Sequence, residues 1–283
     1  MKKQLLLCFS AMLLGGTMIA GAQVRQASEP VKLLQAEVGL MAPVWSPDGQ
    51  YIAVTTDNYT GVLTANADGS NVRVLTSDAG AGYGMAWTAD SKAILGNAKT
   101  ANGTKTLRSY GLDGKISAMG EATRTATAPM MRARSLRGNI LSQMLENPTR
   151  VAAETPALAE FAGRTILNPA PSPDGSRIAF QVVGKGMWII NADGTGLEAL
   201  GAGSHPQWMP DGKTIVYTVV EDNGSYFTAS ALMSMNVDNG RTSTILSRGG
   251  DLIPMTPAIA PDGSKVAFEN AADASIYVVK IKK

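Results

Sequence analysis

Pro43-Val44-Trp45-Ser46-Pro47-Asp48-Gly49-Gln50-Tyr51-Ile52-Ala53-Val54 is the stretch on which the reading of this chain turns. Its centre, SPDG at 46–49, returns as SPDG at 172–175, MPDG at 209–212 and APDG at 260–263, and in decayed form as TADS at 88–91. The tetrapeptide has the chemistry of a tight reverse turn. Proline pre-sets φ, aspartate caps nearby backbone, and glycine takes a positive-φ position. Short apolar stretches precede the motif, as in Met85-Ala86-Trp87, Pro206-Gln207-Trp208 and Pro257-Ala258-Ile259. β-rich runs follow it: YIAV (51–54), AIL (93–95), RIAF (177–180), TIVY (214–217) and KVAF (265–268). Strand, turn, strand predicts a hairpin at each copy.

Spacing turns hairpins into an architecture. From Pro47 to Ala89 is 42 residues, from Ala89 to Pro173 twice that, then 37 to Pro210 and 51 to Pro261. A period near 40 with about four strands per unit marks a β-propeller. The doubled gap implies a unit without its turn, so the expectation is all-β, six four-stranded blades. Unit one supplies the pattern: YIAVTT (51–56), TGVLTAN (60–66), a turn at Asp68-Gly69, then VRVLTS (72–77). The last unit has KVAFEN (265–270) and SIYVVKI (275–281) but no outer strand after them. VKLLQA (31–36) matches VRVLTS in pattern and is expected to close the ring.

Unit three is irregular. Ala128-Pro129-Met130-Met131 reads as an inner strand and Arg164-Thr165-Ile166-Leu167 as an outer one. Between them Ile140, Leu141, Met144 and Leu145 fall at helical spacing, and Thr155-Pro156 starts a helix carrying Leu158 and Phe161. A helical insertion at 139–162 in or beside the third blade is expected. The alternative is a five-bladed ring with this segment as an appendage. In unit five, 221–227 reads as a long loop before ALMSMNV (231–237).

Residues 1–22 read as a secretory leader, followed by one domain over 23–283. Lys2 and Lys3 form its basic end, an interrupted apolar run reaches Ile19, and Ala20-Gly21-Ala22 offers small residues for cleavage. Gly15 and Gly16 and the short run argue against a retained anchor, and Leu7 before Cys8 argues against lipidation. The chain has 25 basic and 23 acidic side chains, so losing Lys2 and Lys3 leaves it neutral, and without Cys8 it has no cysteine. A neutral surface argues against nucleic acid, which requires a basic footprint. The protein is expected in the periplasm or secreted, not spanning a membrane after cleavage.

The run P-x-W-S-P-D-G, an I-A-F-like strand, an I-Y-V-like strand, N-A-D-G and a V-L-T-like strand resembles the TolB-type propeller repeat. Asn66-Ala67-Asp68-Gly69 and Asn191-Ala192-Asp193-Gly194 match its second turn. The resemblance covers about 31–77, 83–120 and 165–283. It implies a six-bladed, exported propeller that serves as a binding platform. TolB's extra N-terminal domain has no counterpart between the expected cleavage site and the first strand, so TolB's partners are not carried over. The same repeat occurs in the propellers of prolyl-oligopeptidase-like peptidases and some pectate-degrading lyases.

Catalytic patterns are sparse. No G-x-S-x-G elbow is present, and His205 is the one histidine, which leaves no imidazole cluster for a triad or a metal. No cofactor and no metal are expected, and the Asp-Gly pairs are read as turn chemistry. Glu37, Asp57, Glu221, Asp222 and Asp251 fall in loops, but no pattern pairs them for glycoside chemistry. Both repeated turns lie at one end of the strands. The opposite end carries the variable loops, where ligands of rigid scaffolds bind. The candidates there are Tyr59, Tyr83, His205, Tyr226, Phe227, Arg248 and Asp251, with the tyrosines and Phe227 suited to stacking on a sugar or gripping a peptide. Trp45, Trp87 and Trp208, at one repeat position, are expected to pack between blades, and Trp188 likewise. The basic run Arg124, Arg132, Arg134 and Arg137 is read as a solvated edge or a contact for an anionic envelope surface. These readings favour a non-catalytic platform for an envelope protein or polysaccharide. The alternatives are a carboxylate-dependent carbohydrate- or peptide-active enzyme, and an assembly subunit that docks through 139–162.

Overall fold

The computed structural model describes residues 23–100, 102–121, 140–146 and 148–283. The leader expected at 1–22, the inner strand expected at 128–131 and the arginine run at 124–137 lie outside these residues. Among the described residues five antiparallel sheets are present, four of them meanders of the expected kind. Sheet one comprises Leu40–Trp45, Tyr51–Thr56, Val62–Asn66 and Arg73–Thr76. Sheet two comprises Ala86–Trp87, Ala93–Lys99, Lys105–Gly111 and Ile116–Glu121. Sheet three comprises Ile166–Pro171, Arg177–Val182, Gly186–Asn191 and Glu198–Gly201. Sheet four comprises Ser204–Trp208, Thr214–Asp222, Phe227–Asn236 and Thr242–Gly249. Sheet five comprises Pro254–Ile259, Lys265–Asn270 and Ser275–Lys282, completed by Val31–Leu34 from the other end of the chain.

That completion is the expected ring closure. Val31 pairs with Val278 and Lys32 with Tyr277, and Arg25–Gln26 adds two further pairs to the same strand. The six-blade expectation is corrected to five sheets among the described residues. Where a sixth sheet would pack, the described chain is helical: Leu141–Glu146, Val151–Glu154 and a 3-10 turn at Pro156–Phe161. Leu141, Met144, Val151, Leu158 and Phe161 form one core with Ile166, Ile178, Phe180 and Ile190 of sheet three. Arg164–Leu167 is not an outer strand. Ile166 and Leu167 begin the inner strand of sheet three, which the sequence obscured because a bulge separates them from Ala170.

The turns behave as their chemistry dictates. The amides of Gly49, Gly175, Gly212 and Gly263 each donate to the carbonyl three residues back, at 2.8–3.1 Å. Asp48, Asp174, Asp211 and Asp262 each accept the amide two residues on, at 2.9–3.0 Å. In the decayed copy Ser91 takes the glycine position at φ +59°, and its hydroxyl accepts the Asp48 amide of the neighbouring turn. That hydrogen bond offsets the cost of a left-handed non-glycine residue.

Tryptophan joins sheet to sheet. The indole N–H groups of Trp45, Trp87 and Trp208 donate to Ala258, Val44 and Ala170, the same inner-strand carbonyl of the preceding sheet, at 2.9–3.1 Å. The first residue of the preceding sheet's second strand lies against each ring: Lys265 on Trp45, Tyr51 on Trp87 and Arg177 on Trp208. Trp188 departs from the expectation. It packs edge-on against Phe161 of the 3-10 turn, 4.8 Å between centroids, because the helical segment and not a sheet covers its face. The 221–227 loop is also corrected. It is the end of a long hairpin, in which Glu221 pairs with Ala229 and Asp222 with Phe227.

Candidate functional site

The inner strands lie side by side around the axis and run down from the loop face to the SPDG turns. Near its upper end each holds a residue at positive φ, three positions before the tryptophan site. These are Ala42 (+50°), Gly84 (+62°), Asn168 (+50°), His205 (+52°) and Thr256 (+48°). Proline follows all but Gly84. Proline excludes the right-handed helical conformation for the residue before it, and the left-handed one costs a non-glycine residue about 1–3 kcal/mol. The ladder breaks at each such point in sheets one, three, four and five. Strain repeated in four sheets is part of the design of this rim, not an accident of one loop.

Facing the bulges, the fifth residue of each second-strand run is polar: Thr55, Asn97, Gln181, Thr218 and Glu269. Alternation points this position at the next sheet, since the first residue of the same run reaches the next sheet's tryptophan. The five positions differ in how far they are satisfied. Thr55 donates to the Gly61 carbonyl at 2.7 Å, and Gln181 accepts from Asn168 at 3.2 Å. The Asn97 Oδ1 and Thr218 Oγ1 atoms are buried without a partner among the described residues. Glu269 accepts the Ala42 amide of sheet one at 3.5 Å and a bond from the Thr256 hydroxyl, so it ties the closing sheet to the first. Burial pushes its carboxyl above the usual range, against the pull of those two donors, and the charge of Asp57 adds to the rise.

Beside this carboxylate the structure brings Tyr59 and Tyr83 together. Their rings meet edge to face at 5.0 Å, one from the loop inside sheet one and one from the loop entering sheet two. Tyr83 is 55% exposed, and Lys105 Nζ lies 5.9 Å from its ring centre. Tyr59 is half-buried, and its phenol is pushed up by that burial, then by Tyr83 and Glu269. The other candidates do not join this pair. His205 is the bulge residue of sheet four. Its Nδ1 lies 3.2 Å from Ser204 Oγ, and burial lowers its pKa. Tyr226 and Phe227 stand exposed at the tip of the long hairpin. Arg248 lies on an outermost strand and pairs with Glu29 at 3.1 Å. Asp251 is exposed, and its carbonyl accepts from Asn270 at 2.9 Å.

Sequence reading passed over Glu269 and Thr256. The signal was present: a polar residue closes YIAVT, AILGN, RIAFQ, TIVYT and KVAFE at one repeat position. Among the described residues no three His, Cys, Asp or Glu side chains converge as a metal site would require. A separate cleft of about 360 Å³ opens on the opposite, SPDG face, at the seam of sheets five and one.

No protein-family model matches the sequence, and no curated protein does. Solved structures do. TolB from Acinetobacter baumannii aligns with TM-score 0.40 and 14% identity over 88% of this chain, which spans only 56% of that protein. Oligogalacturonate lyase in complex with manganese aligns with TM-score 0.48 and 13% identity, covering 92% of this chain and 95% of the other. Oligogalacturonate lyase from Vibrio parahaemolyticus gives 0.47 and 12%, covering 92% and 98%. TolB and a lyase are thus both structural neighbours, and at these scores neither decides what this rim does.

Proposed function

We propose that this protein is an exported, non-catalytic propeller that binds a protein or polysaccharide of the cell envelope through its loop face. The observation that carries the reading is the Tyr59–Tyr83 pair, with Tyr83 exposed beside the strained rim and the half-buried Glu269. An exposed aromatic held rigidly by a second ring offers contact area at little entropic cost. The leader at 1–22 directs export in this reading, and the domain it releases works outside the cytoplasm. No described helix is long and apolar enough to cross a membrane. The described helices between Leu141 and Phe161 take the place of a sixth blade. What supports this is the apolar face of sheet three, which the helices cover as a neighbouring sheet would.

A glycan and peptide array tests the assignment. Tyr83→Ala should abolish capture of the ligand that wild-type protein retains, while Tyr226→Ala at the distant hairpin tip should leave it. Capture that survives Tyr83→Ala would sink the assignment. One observation favours an enzyme as the second reading: Glu269 is a desolvated carboxylate with a raised pKa, the condition in which a carboxyl can act as a general acid. Turnover of an arrayed ligand, lost in Glu269→Gln, would put that reading first.

A further inference from the structure

The SPDG face contains its own control experiment. At the seam of sheets three and four, Arg177 fills the wedge between the turns. Its Nη2 donates to the Gly212 carbonyl at 2.7 Å and its Nη1 pairs with Asp238 at 2.8 Å. Asp211, in the turn of sheet four, pairs with Lys283 at 2.5 Å. At the seam of sheets five and one the same repeat positions hold Lys265, Gly49, Asp68 and Asp48. Lysine is shorter and lacks the fork. Lys265 Nζ rests 6.0 Å from the Trp45 ring centre, and among the described residues it makes no hydrogen bond or ion pair. Asp48 likewise has no cation within ion-pair distance among the described residues. The space that Arg177 closes at one seam is at the other the 360 Å³ cleft, bounded by Trp45, Asp48, Gly49, Pro261, Asp262 and Lys265.

We propose that this cleft is a second binding site, for a neutral hydroxyl-rich ligand the size of one sugar ring. The lining decides the class. The Lys265 ammonium, whose charge acts on Asp262 and Asp68 without a direct bond, has room for an acceptor, and Asp48 and Asp262, each already accepting from its own turn, keep lone pairs for further donors. A simple anion meets two carboxylates and a simple cation meets Lys265, so each is opposed. Hydroxyl groups both donate and accept, and satisfy all three without net charge. Pro261 and Ala260 give the C–H face of a ring an apolar floor. The volume lies at the lower end of ordinary small-molecule sites.

The test is titration of the folded, leader-free protein with glucose, galactose and N-acetylglucosamine. Sodium acetate and guanidinium chloride serve as charged controls. The readout is the Trp45 indole and Gly49 amide signals in nitrogen–proton correlation spectra. One of the sugars should shift both signals saturably, and neither control should match it. Lys265→Arg keeps the charge but rebuilds the Arg177 arrangement, so it should close the cleft and weaken binding by at least ~10-fold. Asp48→Asn should weaken it comparably. Saturation by no sugar, tighter binding of a charged control, or wild-type affinity in Lys265→Arg would each overturn the proposal.

Discussion

Glu269 places an ionisable carboxyl where burial disfavours its charge, and that gives the residue a pH signature. Its carboxyl is raised above the ordinary value of 4.5. The folded chain therefore holds this proton more tightly than the unfolded one. The resulting stability is complete below the ordinary value and is lost as pH rises through the raised one. Glu269→Gln cannot ionise, yet keeps an oxygen to accept the Ala42 amide. Denaturant midpoints should diverge in favour of the variant as pH rises above the ordinary value of 4.5. Parallel curves would mean that Glu269 is not desolvated. This residue was hidden in the sequence for a physical reason. A polar side chain at the end of an alternating run reads as the solvent-facing tail of a strand, and only the packing of sheet on sheet turns that face inward. Trp45, Trp87 and Trp208 were legible because a large ring repeated at one position has few places to go besides a repeated interface.

Turns were the most legible elements, since their geometry is set by residues in contact along the chain. Asp174 shows what the repeat contributes. The Ser172 hydroxyl, then the Ser176 amide and hydroxyl, hold its carboxyl down at about 2. A depressed carboxylate stabilises the fold above its ordinary value, and that stability is lost as pH falls through the depressed one. Asp174→Asn should cost about 1 kcal/mol at neutral pH, a modest figure because the turn is exposed. The cost should shrink as pH falls through about 2, read from urea midpoints of both proteins across the acid range. A cost independent of pH would assign the loss to shape and not to charge. Elements held by distant contacts were harder to read. The start of the sheet-three inner strand was missed because a left-handed Asn168 before Pro169 breaks its alternation. Residues 221–227 were read as a loop because hairpin pairing through Asp222 depends on a partner strand and not on local turn signals. At the site the same limit applied: the loops holding Tyr59 and Tyr83 could be assigned to one face, but not to one another.

Closure is the property of the whole molecule on which both proposed sites depend, because Glu269, Ala42 and the cleft all lie at the seam between sheets five and one. It was legible because the last repeat visibly lacked a strand that the first segment could supply. The number of sheets was not, since a unit without its turn motif offers nothing local to count. Closure can be tested covalently. Val31 and Val278 are paired across antiparallel strands, a separation that falls within disulfide range, and Val31 is 60% exposed. The one cysteine, Cys8, precedes residue 23, so a double Val31→Cys, Val278→Cys variant of 23–283 has no competing thiol. It should oxidise to a single internal disulfide. Because the bond closes a loop of nearly the whole chain, the oxidised form should exceed the reduced one by about 2–4 kcal/mol in denaturant. A pair that stays reduced under oxidant, or cross-links only between molecules, would mean that the first strand does not sit on the last in solution. Both the Glu269 junction and the sugar-sized cleft would then lose the seam that forms them.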